Sequence, residues 1–387
     1  MKLDDYIRMG SGLANFFCDP ERTGFRKRYY PNTTTCQWSD WRWQLRHRLR
    51  SLQQLEEIFD LSVEEKAAIQ RPPFPLAITP YYASLMDRQD SNDPLRRTHI
   101  PVMGEYRVLP GEADDPLCEE QNTVVPGVVH RYPDRVLFLV TGVCATYCRY
   151  CSRSRMIGDQ AQLARSWDTA IDYIAMHPEI RDVLVSGGDP LRLANGLLDS
   201  LLRRLRAIPH VEFLRIGSKI PLVLPMRITA KLVKILKKYH PLAMSIHATH
   251  PKELTLEANQ ALSRLADAGI MLGSQTVLLR GINDNLETIR PLMHGLLKNR
   301  VKPYYLYQCD PIRGSGHFRT PVETGMSIIA GLRGHTSGYA VPDYVIDAPG
   351  GGGKIPLAAN GMVGREAGMV LLKNYQAEIY RYPDPVE

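Results

Sequence analysis

The stretch VLFLVTGVCATYCRYCSRSR, Val136 to Arg155, decides the fold. Its opening segment, Val136–Thr141, is a continuous apolar run of strand length, which predicts a buried strand. Three cysteines follow at the spacing Cys-x3-Cys-x2-Cys: Cys144, Cys148 and Cys151. They are therefore predicted on a loop at the carboxyl end of that strand, the rim where a parallel α/β barrel carries its chemistry. Three thiolates can hold three irons of a [4Fe–4S] cluster and leave the fourth iron open to a small molecule.

Two other uses of these cysteines are less favoured. A structural zinc site wants four ligands, usually as Cys-x2–4-Cys pairs, and no fourth cysteine follows nearby. A redox-active Cys-x2-Cys pair would leave Cys144 without a role. The remaining cysteines are scattered along the chain: Cys18, Cys36, Cys118 and Cys309. The spacing therefore favours an iron–sulfur cluster.

Composition places the chain among ordinary globular proteins. Its 387 residues are 44% hydrophobic and 23% charged, enough for a large core. No apolar run approaches the ~18 residues of a membrane span, so no membrane partner is expected, and the N-terminal MKLDDYIRMG lacks the apolar core of a secretion signal. Seven cysteines without disulfide-like spacing suggest a reducing compartment. A cytoplasmic location is predicted.

The net charge of +7 is spread along the chain apart from local clusters at 42–50 and 231–238. The second cluster looks like the solvated face of a helix. The first, in WRWQLRHRLR, mixes aromatic residues with arginines and could stack on bases. An amphipathic helix that docks its Trp and Leu face on the core is favoured instead. No nucleic-acid partner is expected, and anionic cofactors account for part of the positive charge.

Three regions are predicted: a helical and irregular N-terminal region (1–125), a partial barrel (126–310) and a C-terminal cap (311–387). Within the first region, Trp41–Phe59 has helical spacing of its apolar residues, and Asp40 is placed to cap that helix.

Beyond residue 130, strand and helix patterns alternate, which implies a parallel sheet covered by helices. Strands are predicted at 136–141, 182–186, 211–216, 242–247, 271–278 and 303–307. Helices are predicted near 166–177, 196–207, 229–239, 256–268 and 285–299. Six strands are too few for a closed eight-stranded barrel, so the predicted class is α/β, with an open (β/α)6 partial barrel that leaves room for a large ligand. Two late strands are predicted near 369–373 and 376–381.

A second unusual stretch is DAPGGGGK, Asp347 to Lys354. Four glycines let the backbone approach a ligand closely. A phosphate-binding P-loop fails here because Ala348 replaces its first glycine and Ile355 its hydroxyl residue. The open alternatives are a flexible surface loop and a lysine presented for imine formation with an aldehyde, which is one way to hold pyridoxal phosphate.

Pyridoxal phosphate also needs cations for its phosphate. The stretch HRYPDR offers Arg131 and Arg135 immediately before the cluster strand. Two arginines at this spacing are common on surfaces, so the spacing alone does not assign them.

These motifs together resemble the lysine 2,3-aminomutase family of radical S-adenosylmethionine (SAM), pyridoxal-phosphate enzymes. The resemblance extends over roughly residues 38–375 and is carried by WSDWRWQL, HRYPDR, CATYCRYC, VSGGDPL, LGSQTVLLRGIND, HFRTPVETG, LRGHTSGY and DAPGGGGKIP. The cysteine motif alone indicates only a radical SAM enzyme; the combination with DAPGGGGK is specific to the aminomutases.

The resemblance implies a role for each matching residue. Cys144, Cys148 and Cys151 would ligate the cluster, whose open iron would chelate the amino and carboxylate groups of SAM. The residues that match SAM contacts are Ser186, Gly187, Gly188, Asp189, His247 and Gln275. Lys354 matches the lysine that bonds pyridoxal phosphate, and Arg131 and Arg135 match the clamp on its phosphate.

Three further residues match substrate contacts in this family. Arg153 would pair with the substrate carboxylate, in bidentate fashion. Asp310 and Asp347 match the two aspartates that hold the distal ammonium of lysine. Two carboxylates favour a cation and repel a side-chain carboxylate. Asp347 has an alternative role as a buttress of the glycine loop, and His247 and Gln275 taken alone resemble ordinary residues of a strand end.

The resemblance implies an isomerase that moves the α-amino group of L-lysine to C3, giving β-lysine, with SAM reused. Arginine is the nearest rival substrate, because a guanidinium also suits two aspartates. A remote rival is an iron–sulfur electron carrier or RNA-binding protein; a carrier would need four protein ligands. An external donor of flavodoxin or ferredoxin type is expected to reduce the cluster. A homo-oligomer is expected without the family's intersubunit zinc site, since no cysteine follows Cys309.

Overall fold

The computed structural model describes residues 20–70, 74–156, 167–357, 361–366 and 369–383. The predictions that concern residues 1–19 lie outside them. Within these ranges, no helix combines the length and the apolar character that crossing a membrane requires.

A ten-stranded sheet forms the centre of the described chain, with its strands in sequence order from β1 to β10. β3 to β9 run parallel to one another, whereas β1, β2 and β10 run antiparallel to their neighbours. The strands are Thr123–Val125 (β1), Val128–Tyr132 (β2), Arg135–Thr141 (β3), Asp182–Gly187 (β4), Phe213–Ser218 (β5), Leu242–His247 (β6), Met271–Leu278 (β7), Lys302–Gln308 (β8), Asp343–Ala348 (β9) and Gly353–Pro356 (β10). The C-terminal residues form a separate antiparallel sheet of Met362–Glu366 (β11), Met369–Lys373 (β12) and Ile379–Pro383 (β13).

Helices precede the sheet and then alternate with its parallel strands. The helices before β1 are Pro20–Tyr29 (α1), Thr35–Trp38 (α2), Trp41–Arg46 (α3), Leu52–Glu56 (α4), Val63–Gln70 (α5), Pro80–Ala83 (α6) and Pro94–Arg97 (α7). Those that follow β3 are Asp168–Met176 (α8), Asn195–Arg206 (α9), Ile220–Val223 (α10), Ala230–Leu236 (α11), Leu256–Asp267 (α12), Leu286–Lys298 (α13) and Val322–Leu332 (α14). Short 3₁₀ helices lie at Met103–Tyr106, Ser154–Met156, Pro190–Arg192, Pro225–Arg227, Lys237–Tyr239, Pro251–Glu253, Gly316–Phe318, Gly338–Ala340 and Pro349–Gly351.

The main core lies between the sheet and its outer helices. α9 illustrates why: its leucines recur at helical spacing and are fully buried, while its arginines face outward. Its buried residues are Leu198, Leu201, Leu202 and Leu205. The strands beneath alternate: in β4, Val183 and Val185 are buried, whereas Asp182 and Leu184 are half-buried and line an interior cavity.

The α/β class and the partial barrel are confirmed, and each of the six predicted parallel strands is present within two residues of its predicted bounds. The sheet also contains a seventh parallel strand, β9, which pairs with β8. The pattern did not reveal β9 because DYVIDA has an aspartate near each end and runs directly into Pro349. The sheet therefore continues past residue 310, where the cap was predicted to begin; that division stays a prediction.

The single helix predicted over Trp41–Phe59 is wrong. α3 ends at Arg46 and α4 begins at Leu52, because Leu49 forms a β-bridge with Ile78 through two backbone hydrogen bonds. The predicted cap is confirmed: Asp40 accepts a hydrogen bond from the backbone N–H of Arg42 at 2.9 Å. The docking of the aromatic and leucine face is confirmed too, since Trp43 and Leu45 are buried.

The two ends of the sheet meet through side chains rather than through a backbone ladder. Lys354 of β10 donates its backbone N–H to the hydroxyl of Tyr132 on β2 at 3.0 Å. Arg131 of β2 forms an ion pair with Asp347 of β9 at 2.6 Å. We call these contacts the seam. Because of the seam, the curled sheet encloses an interior cavity.

Candidate active site

Two cavities meet inside the curled sheet. The cysteine cavity, of about 230 Å³, is lined by Cys144, Cys148 and Cys151 at the carboxyl ends of the strands. The barrel cavity, of about 550 Å³, extends between the strands toward their amino ends. Residues lining both cavities are Leu117, Arg153, Leu184, Gln275, Tyr307, Asp347 and Lys354. The three cysteines and Lys354 therefore open onto one continuous space.

The cysteine loop is held by the N-terminal region. The backbone N–H of Tyr147 donates to the carbonyl of Ala77, and that of Arg149 to the carbonyl of Thr98, at 3.0 and 2.9 Å. Arg149 is fully buried and forms a bidentate pair with Glu105. The loop is thus fixed from behind while its thiols face the cavity.

The thiols fit an iron–sulfur cluster. All three are free and line one cavity, and soft thiolate ligands are what such clusters bind. Burial raises the pKa of each thiol, that of Cys148 to about 11. Iron binding must therefore displace a proton from each sulfur, which makes assembly of the cluster easier at higher pH.

Four consecutive residues, Ser186 to Asp189, close the cysteine cavity at the end of β4. Gly187 has φ +116°, and a Cβ on Gly188 would lie 2.6–2.8 Å from the backbone of Val143. Both glycines are therefore required for the close approach of the β4 turn to the cysteine loop.

The carboxylate of Asp189 is already occupied by the protein. It accepts from the Ser218 hydroxyl and from the backbone N–H groups of Leu191, Lys219 and Ile220. These bonds tie the end of β4 to the end of β5. Asp189 therefore lines the cavity as a structural anchor of the turn that carries Ser186 and the glycines.

His247 and Gln275 are register partners on β6 and β7 and both line the cysteine cavity. Burial, then the charges of Lys219 and Arg153, lower the pKa of His247 to about 4. His247 is therefore a neutral imidazole near pH 7, able to donate and accept one hydrogen bond each. The amide of Gln275 lies 3.5 Å from the hydroxyl of Tyr307.

Lys354 lies at the seam. Its Nζ is 3.0 Å from Asp347 Oδ2, and the other oxygen of that carboxylate binds Arg131. The rings of Tyr132 and Tyr307 lie 5.9 and 5.7 Å from Nζ. The lysine is therefore steered into the cavity from β10, with a carboxylate and aromatic rings around its amine.

The residues around Lys354 fit pyridoxal phosphate. The cavity offers an amine for the aldehyde, arginines for the phosphate and aromatic surfaces for the ring. Arg135, the second predicted clamp residue, stacks 4.1 Å from the Tyr132 ring and lies 3.3 Å from Asp134, with its side chain 41% exposed. It lines the barrel cavity together with Arg131.

Arg153 lies where the two cavities meet. Its Nε and Nη2 bind Glu119, at 3.0 and 2.7 Å, and its Nη1 lies 3.5 Å from Ser186 Oγ. Glu119 thereby fixes the plane of the guanidinium. The remaining N–H groups are directed away from Glu119, where a second carboxylate could bind.

Asp310 lines the cysteine cavity together with Asp347 and Lys354. Burial, then the negative charge of Asp347, raise the pKa of Asp310 to about 7. Because Asp347 is balanced by two cations, Asp310 is the carboxyl group more open to a new positive charge.

Several residues that contact the predicted site residues were not predicted from the sequence. Glu119, Tyr132, Tyr307, His99 and the buried pair Lys219–Glu253 all lie at the site. Tyr132 sits within HRYPDR, so its motif offered a signal. Glu119 and His99 lie in stretches without any pattern, and only the fold brings them to Arg153 and Cys148.

The parallel sheet with a three-cysteine loop at its carboxyl rim defines the class. Residues 138–292 match the model of the radical SAM superfamily, so this is a radical SAM enzyme. Residues 329–387, which include Lys354, match the family model described as lysine-2,3-aminomutase.

Curated relatives agree over most of the chain. The L-lysine 2,3-aminomutase of Fusobacterium nucleatum is 50% identical over 93% of this chain and 86% of its own length. That of Clostridium subterminale is 47% identical, over 93% and 88%. The glutamate 2,3-aminomutase of Clostridioides difficile is 40% identical, over 99% and 92%. The chain belongs to the lysine 2,3-aminomutase family.

Membership fixes the reaction type and the cofactors. Enzymes of this family are isomerases that use a [4Fe–4S] cluster, SAM and pyridoxal phosphate, and these three are the cofactors of this chain.

Proposed function

We propose that the chain converts L-lysine into β-lysine by moving the α-amino group from C2 to C3. One observation carries the choice of substrate: Asp310 and Asp347 line the cavity that also contains the cysteines and Lys354. A lysine held near Lys354 would extend its ammonium toward these carboxylates. Relatives named for L-lysine support the same choice.

In this proposal the cofactors divide the site between them. Cys144, Cys148 and Cys151 bind the cluster. SAM contacts are Ser186, Gly187, Gly188, Asp189, His247 and Gln275, with Asp189 acting through the turn it anchors. Lys354, Arg131 and Arg135 bind pyridoxal phosphate, and Arg153 binds the substrate carboxylate.

When bound, the reduced cluster and SAM supply radical hydrogen abstraction, and pyridoxal phosphate supplies the π-system that lets the nitrogen migrate. The protein positions the reactants. Arg153, oriented by Glu119, fixes one end of the amino acid. Asp310 and Asp347 fix the other end, so that C3 is held in one place. Neutral His247 offers a hydrogen bond without bringing another charge into the cavity.

Arginine is the second candidate substrate. Its guanidinium forms forked bonds to carboxylates, which two neighbouring aspartates accommodate. Glutamate is disfavoured, because its side-chain carboxylate would face two acidic groups. We also propose that an external donor of flavodoxin or ferredoxin type reduces the cluster, and that the protein is a cytoplasmic homo-oligomer.

The direct test is anaerobic incubation of the reconstituted protein with SAM, a reductant and one amino acid at a time: lysine, arginine or glutamate. We expect a β-amino acid from lysine, identified by chromatography and mass spectrometry. The Lys354→Ala variant should give none and lose the absorbance of bound pyridoxal phosphate while keeping the cluster. Lys373→Ala, on exposed β12, is the matched control and should behave like wild type. Turnover of arginine or glutamate in place of lysine would overturn the choice of substrate.

A further inference from the structure

Five arginines form a group on the outer side of the cysteine loop. Arg42 belongs to α3, Arg48 and Arg50 follow that helix, and Arg192 and Arg227 come from the turns after β4 and α10. We call them the arginine patch. Arg42 and Arg50 are exposed to solvent, whereas Arg48 and Arg227 are buried.

The arginine patch touches the backbone that carries the first cysteine. Arg48 Nη1 donates to the carbonyl of Cys144 at 2.9 Å. Cys144 lines the cysteine cavity and Arg48 does not, so the arginine contacts the loop from outside that cavity. The patch therefore joins two solvent-exposed arginines, Arg42 and Arg50, to a buried arginine that is hydrogen-bonded to the cluster loop.

The charge of the patch is not neutralised within the part of the chain that the structure describes. None of the five arginines forms an ion pair there; Arg48 and Arg227 donate to carbonyls of Leu45, Leu191 and Leu193. Burial, then Arg50 and Arg192, lower the pKa of Arg48. Burial, then Arg42, lower the pKa of Arg227 to about 10. The guanidinium groups are thus close enough to repel one another.

The negative charge of Asp189 raises the pKa of Arg192 and of Arg227, and so partly offsets the positive charge of the patch. Its oxygens already accept hydrogen bonds from three donors on the β5 side and from Leu191 in its own turn, so it compensates only part of five positive charges. A protein surface that keeps such a concentration of like charge has a cost in stability, which an acidic partner would relieve.

The aromatic residues of this region are not presented to bases. The ring of Trp41 is in contact with two guanidinium groups, those of Arg42 at 4.6 Å and Arg227 at 4.7 Å from its centroid. Trp43 is buried and stacks on His47 with the ring centroids 4.1 Å apart. Stacking on exposed aromatic faces is what single-stranded nucleic acid needs. The surface therefore favours an acidic protein over RNA.

We propose that the arginine patch is the docking surface for an acidic, low-potential, one-electron carrier protein. The inference rests on the proposed function, in which the cluster must be reduced from outside. The carrier loses one electron and the cluster gains it, passing from its 2+ to its 1+ state with no proton transferred. Docking at the patch brings the carrier to the outer side of Cys144, while the cavity side stays available to SAM.

The test is stopped-flow reduction of the reconstituted cluster by a reduced bacterial flavodoxin, followed by bleaching of the iron–sulfur absorbance under anaerobic conditions. In the double variant Arg42→Glu, Arg50→Glu, we expect the second-order rate to fall about tenfold or more at low salt. The difference should shrink as ionic strength rises, because salt screens exposed charges. Lys298→Glu, which reverses one exposed charge outside the patch at the C-terminal end of α13, is the control, and its cluster should be reduced at the wild-type rate.

A second reductant separates this inference from the proposed function. Photoreduced 5-deazariboflavin is small and uncharged, so it should reduce the variant and the wild type equally and support equal lysine turnover. Failure of the wild type to turn over lysine with it would count against the proposed function alone. Unchanged flavodoxin kinetics in the double variant would overturn the docking surface. The docking surface would also be overturned if the double variant lost binding to an RNA oligonucleotide but was still reduced by flavodoxin at the wild-type rate.

Discussion

Asp310 carries a carboxyl group that titrates near neutral pH. Its pKa of about 7 means that it is neutral at pH 6 and charged at pH 8, while the ammonium of lysine stays charged throughout. We therefore expect the KM for lysine to fall as pH rises from 6 to 8. Asp310→Asn should raise KM about tenfold or more at pH 8, because a charged hydrogen bond is lost.

The measurement is the ratio of KM values for variant and wild type at each pH, which cancels titrations that both proteins share. The ratio should approach one at pH 6, where both side chains are neutral. A constant ratio from pH 6 to 8 would mean that Asp310 does not meet the substrate ammonium.

No sequence motif indicated a role for His99. It is fully buried, with Nε2 3.7 Å from Cys148 Sγ and Nδ1 2.8 Å from Thr98 Oγ1. A sulfur that binds iron as a thiolate only accepts hydrogen bonds, so a hydrogen bond to Cys148 requires the proton on Nε2. Nδ1 is then an acceptor, and the Thr98 hydroxyl, which also lies 2.8 Å from the carbonyl of Leu95, has to turn its single proton toward Nδ1. A donor to sulfur favours the more negative, reduced cluster. His99→Phe should therefore shift the midpoint potential to more negative values.

Thr98→Val separates this role from packing. Without the hydroxyl, Nδ1 faces only the carbonyl of Leu95 at 3.2 Å, must carry the hydrogen itself, and leaves Nε2 without one. The potential, measured by anaerobic EPR titration, should shift in the same direction as in His99→Phe. The control is Thr336→Val. It removes the hydroxyl that is hydrogen-bonded to His294, and neither residue lines the cysteine cavity. A wild-type potential in Thr98→Val would refute the hydrogen bond.

At the scale of elements, the turn after β4 supports the cysteine loop. A Cβ on Gly188 would meet the backbone of Val143, which cannot move without moving the loop. We expect Gly188→Ala to reduce the iron and labile sulfide bound per chain after reconstitution, and to lower the melting temperature. Gly196→Ala is the matched control, because nothing lies within 4 Å of its added Cβ in α9. Full cluster incorporation in Gly188→Ala would contradict the close approach.

Some boundaries of helices and strands are set by the local sequence, whereas others are set by contacts with distant residues. The strands and helices from β3 to β8 follow hydrophobic periods that each segment carries in itself, so they are predictable. The break between α3 and α4 has no such cause, because it depends on the pairing of Leu49 with Ile78, a residue far along the chain. β9 likewise becomes a strand because β8 offers it an edge.

At the scale of the whole molecule, the cluster and pyridoxal phosphate bind to different parts of one scaffold. The cysteines lie on the loop after β3, whereas Lys354 lies on β10 at the far end of the sheet. We expect an iron chelator to strip the cluster absorbance and leave that of bound pyridoxal phosphate, as read by ultraviolet–visible spectroscopy. Lys354→Ala should lose the absorbance of bound pyridoxal phosphate and keep that of the cluster. Loss of both absorbances on chelation would mean that the seam depends on the cluster loop.

The sequence by itself determined the class of chemistry. The cysteine motif and the glycine-rich lysine loop are short segments, each defined by residue types at fixed spacing. Both could therefore be identified from the sequence, as could the parallel sheet. Only the tertiary structure decided that the two share a cavity, that Glu119 orients Arg153, and that the seam holds Asp347 between Arg131 and Lys354. The physical reason is distance along the chain: these contacts join residues up to 216 positions apart, and no local pattern encodes the curling of the sheet that brings them together.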